Sequence, residues 1–166
     1  IYKILELINY LKENQFGLSL EYMFLPDFVE QYGLNDYETS IKALEEITQF
    51  TSCEFAVRPF IIKYPKEMMK QMLNWSKHEH QGVRRFSSEG CRPRLPWAMA
   101  IPELKANPNP IIPILNNLKS DESEFVRKSV ANNLNDIAKD NPETVIELAK
   151  KWKGKSKNTD WVIKHG

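Results

Sequence analysis

The chain has 166 residues, 42% of them hydrophobic and 27% charged, enough to bury one sizeable core and too few to promise several domains. No apolar run approaches the roughly 18 residues of a membrane span, no secretory start is present, and Cys53 and Cys91 are too few and too far apart to signal a disulfide framework or a zinc knuckle. The net charge of +1 conceals an asymmetry: residues 1–57 hold three lysines against ten acids, residues 58–94 nine cations against three acids, and residues 95–166 eleven cations against nine acids. A soluble, cytoplasmic protein with a local anion-binding face is the expectation.

In chain order, almost every long segment spells helix. Tyr37–Phe50 carries Ile41, Leu44 and Ile47 at helical spacing. Thr51 and Glu54 stand three residues apart, a capping-box pattern, so spacing alone favours a helix-start role for Glu54. Tyr64-Pro65 opens a run with Met68, Met69, Met72, Leu73 and Trp75, and Pro110 or Pro113 opens another with Ile112, Ile114, Leu115 and Leu118. Val126, Val130, Leu134 and Ile137 then mark the clearest helix, with Ser120 and Asp121 as candidate caps at its start. Asn141 and Pro142 end it and begin the next, to about Trp152. No useful stretch alternates with period two, so no strand is expected.

Pairs of a β-branched and a basic residue recur as Val57-Arg58, Val83-Arg84, Val126-Arg127 and Ile163-Lys164, at intervals that bracket helical-hairpin repeats. The fold class expected is therefore all-α, an α-solenoid of degenerate HEAT-like helical repeats over one domain, residues 1–166. An irregular helical bundle is the alternative.

The segment Val83–Trp97, VRRFSSEGCRPRLPW, packs four of the six arginines beside a single carboxylate. Crowded like charges imply a partner offering planar, bidentate acceptors, and nucleic-acid phosphate is the commonest. Glu89 precedes Gly90 at an expected helix C-terminus, where a negative charge opposes the macrodipole. Trp97 reads either as a core anchor or as a stacking platform, and Pro93 and Pro96 stiffen the backbone around it. Asp136 shares a helix face with Lys128, Asn132 and Asn135, opposite the apolar stripe, which is ordinarily a solvated face. Asn132 and Asn133, poor helix formers, stand in mid-helix.

Four motifs, EFAVRPF at 54–60, VRRFSSEGCRPRLPWAM at 83–99, VRKSVANNLNDIAKDNPE at 126–143 and WVIKHG at 161–166, together resemble the HEAT-like-repeat DNA alkylation repair glycosylases, specifically the AlkC branch of the AlkC/AlkD group. The resemblance covers roughly residues 40–166. It implies a monofunctional glycosylase that excises cationic alkylated bases, of the 3-methyladenine and 3-methylcytosine type, from double-stranded DNA without flipping the base into a deep pocket. Carried over by position, Glu54, Glu89 and Asp136 match the active-site carboxylates, Trp97 the aromatic, and Arg92 the arginine holding the lesion-bearing backbone. Arg58, Arg84, Arg85, Arg92, Arg94, Arg127 and Lys128 are then expected to grip phosphates, with Asn132 as a neutral contact.

No cofactor and no metal are implied, and His78, His80 and His165 have no metal-ligand spacing. A monomer is expected. Relatives continue past Lys164-His165-Gly166 through another basic helix, so the chain is expected to be short at its C-terminus, as it is at an N-terminus that starts without Met. A non-catalytic HEAT-like module that recognises damaged or structured DNA is the second reading, from a different functional class.

Overall fold

A computed structural model describes residues 1–14 and 20–166. Among the described residues the chain forms α1 (Tyr2–Glu13), a 3-10 turn (Leu20–Met23), α2 (Phe24–Tyr32), α3 (Tyr37–Ile47), α4 (Arg58–Lys63), α5 (Pro65–Trp75), α6 (Gln81–Glu89), α7 (Pro102–Ala106), α8 (Ile112–Leu118), α9 (Glu124–Ala138), α10 (Pro142–Trp152) and α11 (Lys157–His165), with no strand.

Local chemistry accounts for many of the boundaries. Pro59, Pro65, Pro102, Pro113 and Pro142 each occupy the first turn of a helix, where a missing N–H costs nothing and the fixed φ is already helical. Asp36 accepts from the Thr39 amide to cap α3, and Ser156 accepts from the Thr159 amide to cap α11. Two expectations change. The α9 N-cap is Ser123, whose amide donates to Asp121 Oδ1 at 2.9 Å, so Asp121 organises the preceding turn rather than capping the helix. Thr51 and Glu54 form no capping box: Thr51 Oγ1 lies 3.4 Å from Met23 Sδ, and α4 begins only at Arg58.

Packing joins both consecutive helices and helices further apart along the chain, most extensively α6 and α9. α3 packs on α1 and α2, α5 on α4 and α6, and α9 on α6, α8, α10 and α11. Val126, Val130, Leu134 and Ile137 of α9 are all buried, as the stripe requires, against a core that includes Val83 and Phe86 of α6, Leu148 and Trp152 of α10, and Val162 of α11. Each such side chain contributes about 1.5–3 kcal/mol on removal from water. Polar bonds fix the register between layers. The Trp75 indole N–H donates to the Glu45 carboxylate, and that ring lies 5.0 Å from Phe86; Trp152 Nε1 donates to Asn116 Oδ1 at 2.9 Å.

The α6–α9 contact has a second, polar stripe. Ser129, Asn133 and Asp136 are buried at steps of four and three along α9, and Asn133 Nδ2 donates to the Ser88 carbonyl of α6 at 2.8 Å. The expectation that Asp136 lies on a solvated face is therefore overturned; it is 2% exposed. Asn133 is a structural residue, whereas Asn132 is exposed.

Candidate active site

Helix α6 delivers Arg84, Arg85 and Glu89, the loop that follows supplies Arg92, Arg94 and Trp97, the turn before α4 supplies Glu54, and the last turn of α9 supplies Asp136. Two guanidinium groups join the three carboxylates. Arg85 donates to both oxygens of Glu54 at 3.1 Å and lies 3.8 Å from Glu89 Oε1. Arg92 donates through Nη1 to Glu89 Oε1 at 2.7 Å and through Nε to Asp136 Oδ2 at 2.8 Å. Lys139 adds a longer contact to Asp136 Oδ1, at 3.5 Å. Glu54, Glu89 and Asp136, remote in sequence, thus stand in one alternating row, with Oε2 of Glu89 outside these bonds.

Charge balance permits this burial. Glu54, Glu89, Arg92 and Asp136 are each less than a tenth exposed, and ions so far from water are tolerated when paired and hydrogen-bonded. Burial works to raise the Glu54 carboxyl, but the hydrogen bond and charge of Arg85, with help from Ser52, hold it below its ordinary value. Burial likewise opposes the charge on Arg92, and its bonds to Asp136 and Glu89 keep its pKa above the ordinary value.

Trp97 is no core anchor. It is 100% exposed, and its φ of 63° places it in the left-handed region, which costs a non-glycine residue about 1–2 kcal/mol. Gly90, which an αL helix cap would have placed at positive φ, instead has φ −64°. Its lack of a side chain matters for another reason: a Cβ there would sit 2.7 Å from Val57 Cγ1 and 3.1 Å from the Phe86 carbonyl, so α6 and the turn before α4 approach through it.

The arginines are mostly committed within the protein. Arg84 forms a bidentate pair with Asp121 at 2.7 and 3.1 Å and donates to the carbonyls of His78 and Glu79. Arg85, besides Glu54, lies 4.8 Å from the Phe125 ring. Arg94 pairs with Asp140 at 2.6 and 2.8 Å but stays partly open to solvent. Arg127 donates to the carbonyls of Asp121 and Glu122 and stands over the Trp161 ring. Arg58 is wholly buried, which removes it from phosphate contact. Lys128, paired with Glu124 at 3.0 Å, and Asn132 are exposed, and with Arg94 they are the candidate contacts that solvent reaches most freely. Charge along the sequence counts cations without their partners, and nothing in the spacing of Asp121 and Asp140 marks them as partners of Arg84 and Arg94.

The family model for DNA alkylation repair enzymes matches residues 19–165. The uncharacterized protein YhaZ of Bacillus subtilis (strain 168) is 54% identical over 147 residues, 89% of this chain and 41% of that protein. Among solved structures, the Pseudomonas fluorescens alkylpurine DNA glycosylase AlkC, bound to DNA containing an abasic site analog, superposes with a TM-score of 0.83 at 44% identity over 86% of this chain and 40% of that one. AlkD2 from Streptococcus mutans superposes with a TM-score of 0.57 at 30% identity over 96% of this chain and 68% of its own. The chain spans about two fifths of the length of YhaZ and AlkC.

Proposed function

Because this chain belongs to the DNA alkylation repair enzyme family and has its all-helical HEAT-like fold, we propose that it contributes the catalytic face of a monofunctional DNA glycosylase. Its substrate is double-stranded DNA carrying a cationic alkylated base of the 3-methyladenine or 3-methylcytosine type, and the bond hydrolysed is the N-glycosidic bond. The observation that carries this reading is the row of Glu54, Glu89 and Asp136 joined by Arg85 and Arg92, with the exposed Trp97 on the loop that Arg92 begins.

The chemistry suits these groups. An N3-alkylated base already carries positive charge and departs as a neutral molecule, so its exit needs no general acid. What the protein has to supply is a negative field at the sugar, where oxocarbenium character develops, and an oriented water. Glu89 and Asp136 supply the field, and Glu89 Oε2, outside the arginine bonds, is the oxygen placed to orient water and take its proton. The Trp97 ring, fully open, packs its electron-rich face against the deoxyribose as that sugar becomes cationic. Arg92 holds the carboxylates in register and presents positive charge to the lesion-bearing strand.

The second reading, a non-catalytic DNA-binding module, draws support from the same bonds: each of the three carboxylates already has an arginine partner. Incubation with duplex DNA containing 3-methyladenine separates the two. Free base and alkali-labile abasic sites are expected; binding without release would establish the module instead.

A further inference from the structure

Arg58 is a cation buried without a carboxylate. It is 0% exposed and makes no salt bridge among the described residues, and its three hydrogen bonds all go to backbone carbonyls of one loop. Nε donates to Met99 at 2.6 Å, and Nη1 donates to Gly90 at 3.0 Å and to Arg92 at 2.9 Å. Nη2 has no partner among the described residues. Burial pushes the guanidinium down to about 10, so it remains charged near neutral pH.

The position of those carbonyls is informative. Gly90 and Arg92 open the loop after α6 and Met99 closes it, so one side chain ties both ends together, with Trp97 between them. Within the loop, Ala98 N–H donates to Leu95 at 3.3 Å and Ile101 N–H to Pro93 at 3.4 Å, both long. Trp97 itself is fully exposed and sits at φ 63°, so its own side chain contributes no burial to hold it, and the loop must. An apolar side chain of similar volume would fill the core without the cost of an unpaired buried charge. A guanidinium adds a rigid fork of donors in fixed directions, which lysine lacks.

We propose that Arg58 is a positioning residue for base excision, a clamp that closes the Gly90–Met99 loop and thereby presents Trp97 to the substrate sugar. The role rests on the glycosylase reading above. Fixing the loop before DNA arrives removes an ordering cost from the reactive complex, so its loss weakens the chemical step more than DNA binding.

The test uses the full chain, with Arg58→Lys, Trp97→Ala and their combination, read by hydrogen exchange, affinity for abasic-site DNA and single-turnover base release. Arg58→Lys should speed amide exchange across residues 94–101 with α9 unchanged, and should lower the release rate about tenfold while affinity moves by less than about twofold. Adding Arg58→Lys to Trp97→Ala should cost nothing further. Unchanged loop exchange, or faster exchange with an undiminished rate, would overturn the proposal. If Arg58→Lys does not fold, Pro96→Gly, on the surface of the same loop, decides: rate falling in step with faster exchange supports positioning, and an unaffected rate refutes it. A wild type that releases no base would remove the glycosylase reading and with it the role in excision, whereas unchanged loop exchange in Arg58→Lys would remove the clamp alone, so the two failures are distinguishable.

Discussion

Arg92 Nε stands 2.8 Å from Asp136 Oδ2 across 44 positions of sequence, and the same guanidinium holds Glu89 at 2.7 Å. Helices α6 and α9 are thus joined at their C-terminal ends by one shared ion. Two carboxylates brought together without that ion would repel one another. With it, the helices close over a contact in which the apolar stripe of α9 lies beside the buried polar one of Ser129, Asn133 and Asp136.

Asp136→Asn should therefore act on both stability and chemistry. Removing one partner of a buried pair costs about 3–5 kcal/mol, and Arg92 keeps Glu89, so a loss near the lower end, about 3 kcal/mol, is expected in urea unfolding. Glu89→Gln should lower the base-release rate by about two orders of magnitude or more, with abasic-DNA affinity largely retained. Equal rates for wild type and Glu89→Gln, at a temperature where both are folded, would take Glu89 out of the mechanism.

Acid should loosen the row from the Glu54 end. The Glu54 pKa is held below its ordinary value of 4.5 in the folded protein, so its pairing with Arg85 stabilises the fold fully above the unfolded value. That contribution is lost as pH falls through the lower, folded value. Stability measured by denaturant titration should thus decline below about pH 4.5 in wild type and decline less steeply in Glu54→Gln. Parallel curves would show that Arg85 contributes nothing there.

Much of this arrangement is legible in the sequence, and the reasons for the rest are physical. The α9 stripe and the proline-led helices are local patterns and appear where periodicity and proline chemistry put them, whereas the caps expected at Thr51 and Glu54 and at Ser120 and Asp121 do not form. The polar stripe Ser129, Asn133 and Asp136 is hidden because period alone cannot tell a buried polar face from a solvated one; only the facing Ser88 carbonyl and Arg92 reveal it. Arginine pairing is hidden for the same reason. Arg84 meets Asp121, and Arg94 meets Asp140, through tertiary folding, so a cluster that reads as phosphate-seeking is largely neutralised inside. The backbone of Trp97 carries no signal in sequence, since positive φ is ordinarily advertised by glycine or asparagine.

That internal pairing reassigns the salt dependence of DNA binding. Lys128 and Arg94 are more open to solvent than Arg84, and removing one phosphate-binding cation should reduce the slope of log affinity against log salt by about 1. Lys128→Ala should show that reduction with little effect on folding. Arg84→Ala should instead lower stability by about 3 kcal/mol by stranding Asp121, with the slope unchanged. A flattened slope in Arg84→Ala would return that residue to the DNA-binding surface.

Trp97 offers a separation of strain from chemistry. The side chain is fully exposed, so truncating it removes no core packing, and Trp97→Ala should change stability by no more than about 0.5 kcal/mol. Alanine, however, still pays the left-handed backbone cost that φ 63° imposes, whereas glycine does not. Trp97→Gly should therefore be the more stable of the two by about 1 kcal/mol, less what glycine's added freedom in the unfolded chain takes back. Both variants lack the indole and should lose base release to the same extent. Thermal unfolding beside single-turnover kinetics reads the two effects independently: if Trp97→Gly restores activity relative to Trp97→Ala, the backbone rather than the ring serves the reaction, and the stacking role of Trp97 falls.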